Sequence, residues 1–199
     1  MEEKRLQDIG EMLMTYGVRS VSMDDIARHL GISKKTLYLH FKDKNEMVEK
    51  ITESVIEERH SEYVEATKDA TNAIEELFFM TKCLRTHVAN LNPSLVFDLK
   101  KFHTKAWNML MDFEHITVYG DLITNLERGV EEGFFRPSID IKILAKLRVE
   151  QVHMSFDPHM FPKDKFDFTE VHMQMFDHYI YGLLTVKGVK LYEKYKKEN

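Results

Sequence analysis

Residues 22–50, SMDDIARHLGISKKTLYLHFKDKNEMVEK, are punctuated so tightly that few folds remain open to them. Ser22, followed three residues later by Asp25, is a capping box and predicts a helix start. Ile26, Ala27 and Leu30 then fall on one face at helical spacing. Gly31 supplies a left-handed stop, Ile32 fills the corner and Ser33 caps the next helix. A third start follows at Asp43 with Glu46, and Lys44 lies in its first turn. Two short helices joined by a tight turn make a helix-turn-helix.

The wheel of the second helix indicates its use. Leu37 and Phe41, four apart, face the first helix. At about 100° per residue, Lys35 and Leu39 point directly away from that core. Thr36 and His40 flank one side of the exposed face and Tyr38 flanks the other, with Lys34 in the first turn. A merely solvated face would carry Glu, Lys and Gln. Donors, an aromatic hydroxyl and one apolar side chain suit a groove with phosphate walls and thymine methyls. Lys44, at the next helix N-terminus, is expected on phosphate as well. A surface hairpin with incidental lysines explains any one of these features, but not all of them in register.

The stretch resembles the N-terminal domain of the TetR family of bacterial transcriptional regulators. That domain reads Thr/Ser-x-x-x-Ile-Ala, then Gly-Val/Ile-Ser-Lys-x-Thr-Leu-Tyr-x-His-Phe, then a polar residue and Lys. Those positions are Ser22, Ile26, Ala27, Gly31, Ile32, Ser33, Lys34, Thr36, Leu37, Tyr38, His40, Phe41 and Lys44. The match is dense over about thirty residues and thins at the first helix, where Ile9 and Gly10 replace small alanines and Leu13 stands for Phe. The resemblance implies an all-α architecture of about nine helices. A three-helix DNA-binding domain over 1–47 would precede a helical bundle over 48–199 for ligand binding and dimerisation. It further implies a regulator, read here as a repressor, that binds a palindromic operator as a homodimer and is released by a small effector. The homodimer would form through the last two helices, expected at 140–156 and 168–186. The DNA-contacting set is then Ser22, Lys34, Lys35, Thr36, Tyr38, Leu39, His40 and Lys44.

A net charge of −5 at first opposes binding to nucleic acid. Its distribution removes the objection: residues 1–50 carry nine Lys/Arg and nine Asp/Glu, so the deficit lies in 51–199. Four lysines, one aspartate and a histidine stand between Ser33 and Lys44, a local basic stripe on an acidic chain. The 43% apolar content supports a core and the 31% charged residues a soluble chain. No apolar run is long enough for a membrane span. The charged start MEEKRLQDIG lacks a signal-peptide core, and the single Cys83 fits a reducing cytosol, so a cytoplasmic location is expected.

Helical periods recur through the rest. A fourth helix is expected from Lys44 to the middle sixties. The next carries Ile74, Leu77, Phe78, Thr81, Leu84, Val88 and Leu91 on one stripe and ends at Asn92-Pro93. Ser94 to about Phe102 is a short helix, and a long one follows with Trp107, Met111, Val118, Leu122, Leu126 and Val130, ending at Gly133. Ser138 or Asp140 is expected to open a helix through about Phe156, and a last helix is expected from 168 to 186, with a basic tail.

The middle helices are rich in bulky, adaptable groups, and twelve methionines suit a plastic pocket for an apolar or aromatic effector. The expected pocket set is Phe78, Phe97, Phe102, His103, Trp107, Met111 and His153, although such a stripe also reads as plain core. Glu150-x-x-His153 and Asp112-x-x-His115 have the i, i+3 spacing of di-metal bundles but lack the further carboxylates, so no metal or other cofactor is expected. No phosphate loop, nucleophile elbow or zinc motif occurs, and catalysis is not expected. The competing reading is a helical-bundle metal or ligand-binding protein whose N-terminal hairpin is structural.

Overall fold

A computed structural model describes residues 3–89, 92, 94–157, 159–162 and 164–198. In order, the helices are α1 (Glu3–Tyr16), α2 (Met23–His29), α3 (Lys34–His40), α4 (Lys44–Thr67), α5 (Ala73–Ala89), α6 (Ser94–Phe102) and α7 (Thr104–Asp112). A π-helical segment (Phe113–Val118) then leads into α8 (Tyr119–Glu131), followed by α9 (Ile141–Ser155), α10 (Phe168–Leu183) and α11 (Val186–Glu198). The chain is all-α, as expected. Compactness divides it into two units, residues 1–61 with 90–112, and 62–89 with 113–199. The expected boundary between 47 and 48 falls inside α4, which runs without a break.

In the first unit the expected caps form. The Ser22 side chain accepts from the Asp25 amide while the Asp25 carboxylate accepts from the Ser22 amide. Ser33 Oγ accepts from the Thr36 amide at 3.0 Å. At the start of α4, Asp43 accepts from the Glu46 amide and Glu46 from the Lys42 amide, one residue earlier than a simple box. Gly31 turns with φ 65°, and Gly17, with φ 83°, ends α1 where any Cβ would press on Ser94 Oγ at 2.9 Å. The core is Ile9, Leu13, Val18, Val21, Ile26, Ala27, Leu37, Phe41, Met47, Val48 and Ile51, joined by Leu99 of α6 and Ala106 of α7.

The second unit packs α5, α8, α9, α10 and α11 around Ile74, Leu77, Leu122, Leu126, Phe135, Val149, Phe176, Ile180 and Leu183. Of the stripe expected on α5, Ile74 and Leu77 are buried and Phe78 is half-buried. The side chains of Leu84 and Val88, and residues Leu91 and Pro93 altogether, lie outside the described residues. The last expected helix, 168–186, is α10 and ends at Leu183, and the basic tail beyond it forms a further helix, α11. Leu184 is extended (φ −70°, ψ 142°) and forms a bridge with Phe135. The Thr185 amide donates to the Phe134 carbonyl at 2.8 Å, and Thr185 Oγ1 accepts from Gly188, starting α11. Pairing with residues 134–136 holds the chain extended at the break, just after Gly182.

Candidate nucleic-acid interface

Leu37 and Phe41 are wholly buried, which fixes the rotation of α3 against α2. That rotation turns Lys35, Tyr38, Leu39 and His40 outward and leaves Thr36 half-buried at the edge. Leu39 is 76% exposed, an uncompensated apolar group on a seven-residue helix. Hydroxyls near the helix start are partly engaged: Ser22 Oγ donates to Asp25, and Ser33 and Thr36 share a hydrogen bond of 2.8 Å. Lys34 Nζ meets Asp24 Oδ1 at 2.7 Å, and this hydrogen bond raises the lysine pKa. Both partners are exposed, so the pair is weak and a phosphate can compete for the ammonium.

Lys44 is placed differently from its expected phosphate contact. Its Nζ donates to the carbonyls of Val18 and Val21, at 2.5 Å each, across the loop joining α1 and α2. Burial is the first cause of its lowered pKa. A lysine in a first helical turn reads the same in sequence whether it faces solvent or a loop, and only the path of residues 17–21 decides. Lys42, which no motif singled out, is exposed in the turn between α3 and α4.

Helix α6 is fastened to this head. The Asn92 amide donates to the Met14 carbonyl at 2.9 Å, and its side-chain amide donates to Thr15. The Arg19 amide donates to Asp98 Oδ2 at 3.1 Å, while the Arg19 guanidinium lies 4.6 Å from the centre of the Phe102 ring. Lys105 of α7 pairs with Glu49 of α4 at 2.5 Å. Trp107 packs, partly buried, against the same core.

The expected pocket set therefore divides. Phe97, Phe102, His103, Trp107 and Met111 belong to the first unit, and Phe78 and His153 to the second. Phe97 and Phe102 are exposed and meet edge to face at 6.4 Å. His103 keeps Nδ1 buried with no hydrogen-bond partner, and burial pushes its pKa down. Phe78 lies against Tyr195 of α11, with ring centres 6.0 Å apart. His153 lies beside Glu150 and His115, a trio that sequence spacing did not assemble because the π segment sets the direction of His115. Among the described residues, no helix is long and apolar enough to cross a membrane.

Residues 10–51 match the model of the family described as bacterial regulatory proteins, tetR family. The Bacillus subtilis uncharacterized HTH-type transcriptional regulator YvaF is 32% identical over 114 residues, 57% of this chain and 60% of that protein. The chain thus matches less than two thirds of that relative's length. The HTH-type transcriptional repressor KstR2 of Mycolicibacterium smegmatis is 24% identical over 149 residues, covering 72% of each chain. Among solved structures, a putative transcriptional regulator from Saccharomonospora viridis in complex with choline superposes with a TM-score of 0.75 at 17% identity, over 92% of this chain and 97% of that one. At that identity the likeness is one of fold.

Proposed function

We propose, from the premise that this chain belongs to the TetR family of bacterial transcriptional regulators, that it represses transcription by binding a palindromic operator as a homodimer and is released by a small-molecule effector. The family is one of regulators rather than enzymes. The observation that carries the reading is the outward face of α3, where Lys35, Tyr38, Leu39 and His40 stand exposed on a helix whose rotation is locked by Leu37 and Phe41. Lys35 reaches a guanine edge and Leu39 a thymine methyl. Lys34, Thr36, Tyr38 and His40 hold the backbone, with Lys42 in place of Lys44.

A single short helix spans only a few base pairs, so specificity requires two. Two-fold pairing sets the reading helices in successive major grooves, about 34–36 Å apart. Support for pairing comes from α9, where Ile143, Leu147 and Met154 are exposed at helical spacing. Of the two helices expected to pair, the one at 168–186 is partly used within the chain, since Val171, Tyr179 and Leu183 are buried in the second unit.

Release works through α6. A ligand resting on Phe97, Phe102, His103, Trp107 or Met111 acts on helices that hold residues 14–19 by hydrogen bonds, and those residues set the path of the loop into α2. Such a ligand lowers operator affinity only by its preference for the non-DNA arrangement. The Saccharomonospora viridis regulator, which shares this fold, provides a precedent for a small bound ligand.

The test is fluorescence anisotropy on a labelled duplex recovered by selection, titrated across salt. Lys34 and Lys42 from two subunits set four cations on phosphates, so the log–log slope is expected near about −4. Binding insensitive to salt contradicts electrostatic docking by this face.

A further inference from the structure

The geometry points to a divalent transition-metal site in the second unit, built from His115, Glu150 and His153. His115 Nε2 lies 3.4 Å from Glu150 Oε1, and His153 Nδ1 lies 3.5 Å from Glu150 Oε2. One donor atom from each residue falls within 4.8 Å of the other two. A tetrahedral ion with bonds of about 2.0–2.2 Å needs its donors roughly 3.3–3.6 Å apart. The two histidine-to-carboxylate separations have that length but run to different oxygens of Glu150, so gathering three donors on one ion takes side-chain rotations and no refolding.

Two structural features bring the donors together. Glu150 and His153 are one turn apart on α9 and share a face by helical periodicity. His115 comes from the π-helical segment Phe113–Val118, whose wider turn directs Glu114 into the protein and leaves His115 toward α9. Single π turns inside α-helices recur at functional sites. The His115 and His153 rings meet edge to face with centres 5.7 Å apart.

The chemistry of the donors selects the ion. Two imidazoles and one carboxylate suit Zn²⁺, Co²⁺ or Ni²⁺, whereas Mg²⁺ and Ca²⁺ require oxygen ligands. All three side chains retain solvent exposure, 37%, 44% and 22% in chain order, so water or an incoming ligand can complete the coordination. Lys146 Nζ, 2.8 Å from Glu150 Oε1, is the cation that neutralises the carboxylate without metal. A bound ion displaces it.

Isothermal titration of the full chain with ZnCl₂ and NiCl₂ tests the site. One ion per chain is expected. His115→Ala, Glu150→Gln and His153→Ala should each weaken binding at least about tenfold. Lys146→Met should tighten it by removing the competing cation. His178→Ala, an exposed histidine on α10, should change nothing. Circular dichroism of each variant separates ligand loss from misfolding, and the gain in Lys146→Met cannot come from misfolding. Absence of binding, or binding that survives all three ligand substitutions, overturns the site and reduces the trio to an ion-paired surface cluster. Operator binding by the metal-free protein is a separate readout, so either outcome leaves the DNA-binding proposal to its own test.

Discussion

At the scale of single residues, α3 and α4 teach opposite lessons. The rotation of α3 follows from Leu37 and Phe41 alone, because a large apolar group on the helix and another at its C-cap, four apart, leave one way to bury both. Every outward residue of that helix was therefore legible in the sequence. Lys44 was not, since its target is a pair of carbonyls that exists only after Gly17 turns the chain and residues 18–21 cross above α4. These two assignments predict different phenotypes. Lys44→Met leaves the Val18 and Val21 carbonyls without their donor, which costs about 1–3 kcal/mol of stability. Thermal denaturation should show this loss while the salt slope of DNA binding at low temperature stays unchanged. A slope flattened by one unit per subunit, with wild-type stability, would return Lys44 to the phosphates.

At the scale of elements, capping chemistry made α2, α3 and the starts of α4 and α9 readable, because Ser22, Ser33, Asp43 and Asp140 act within their own turn. The break between α10 and α11 depends on residues some fifty positions away. Leu184 and Thr185 leave the helix to pair with Phe134 and Phe135; the end near 186 was legible, but the restart as α11, capped by Thr185, was not. The π segment was equally hidden, since apolar spacing runs through it from Trp107 to Val130. Gly129 tests how far tertiary contact overrides local preference. It sits inside α8, where Ala is favoured over Gly by about 1 kcal/mol. A Cβ there would enter the Phe135 ring. Overpacking of this kind costs about 1–3 kcal/mol, so Gly129→Ala should lower the melting temperature rather than raise it. A more stable variant would show that Phe135 moves aside freely.

At the scale of the whole molecule, specific reading by so short a helix requires two copies. The exposed stripe on α9 predicts that Leu147→Glu yields monomers of normal helicity with operator affinity greatly reduced. Leu183→Glu should unfold the second unit instead, because that side chain is buried within one chain. Sedimentation with circular dichroism separates the two outcomes, and a wild-type monomer at micromolar concentration would remove the dimer. The pairing of reading heads is most directly tested by selecting duplexes from a random library with the wild type and with Lys35→Ala. A palindrome whose half-sites repeat at about 34–36 Å along the axis is expected. With Lys35→Ala, affinity should fall by about 1–3 kcal/mol and preference should relax at one position in each half-site. An unsymmetrical site, or a motif unchanged by Lys35→Ala, would contradict this reading.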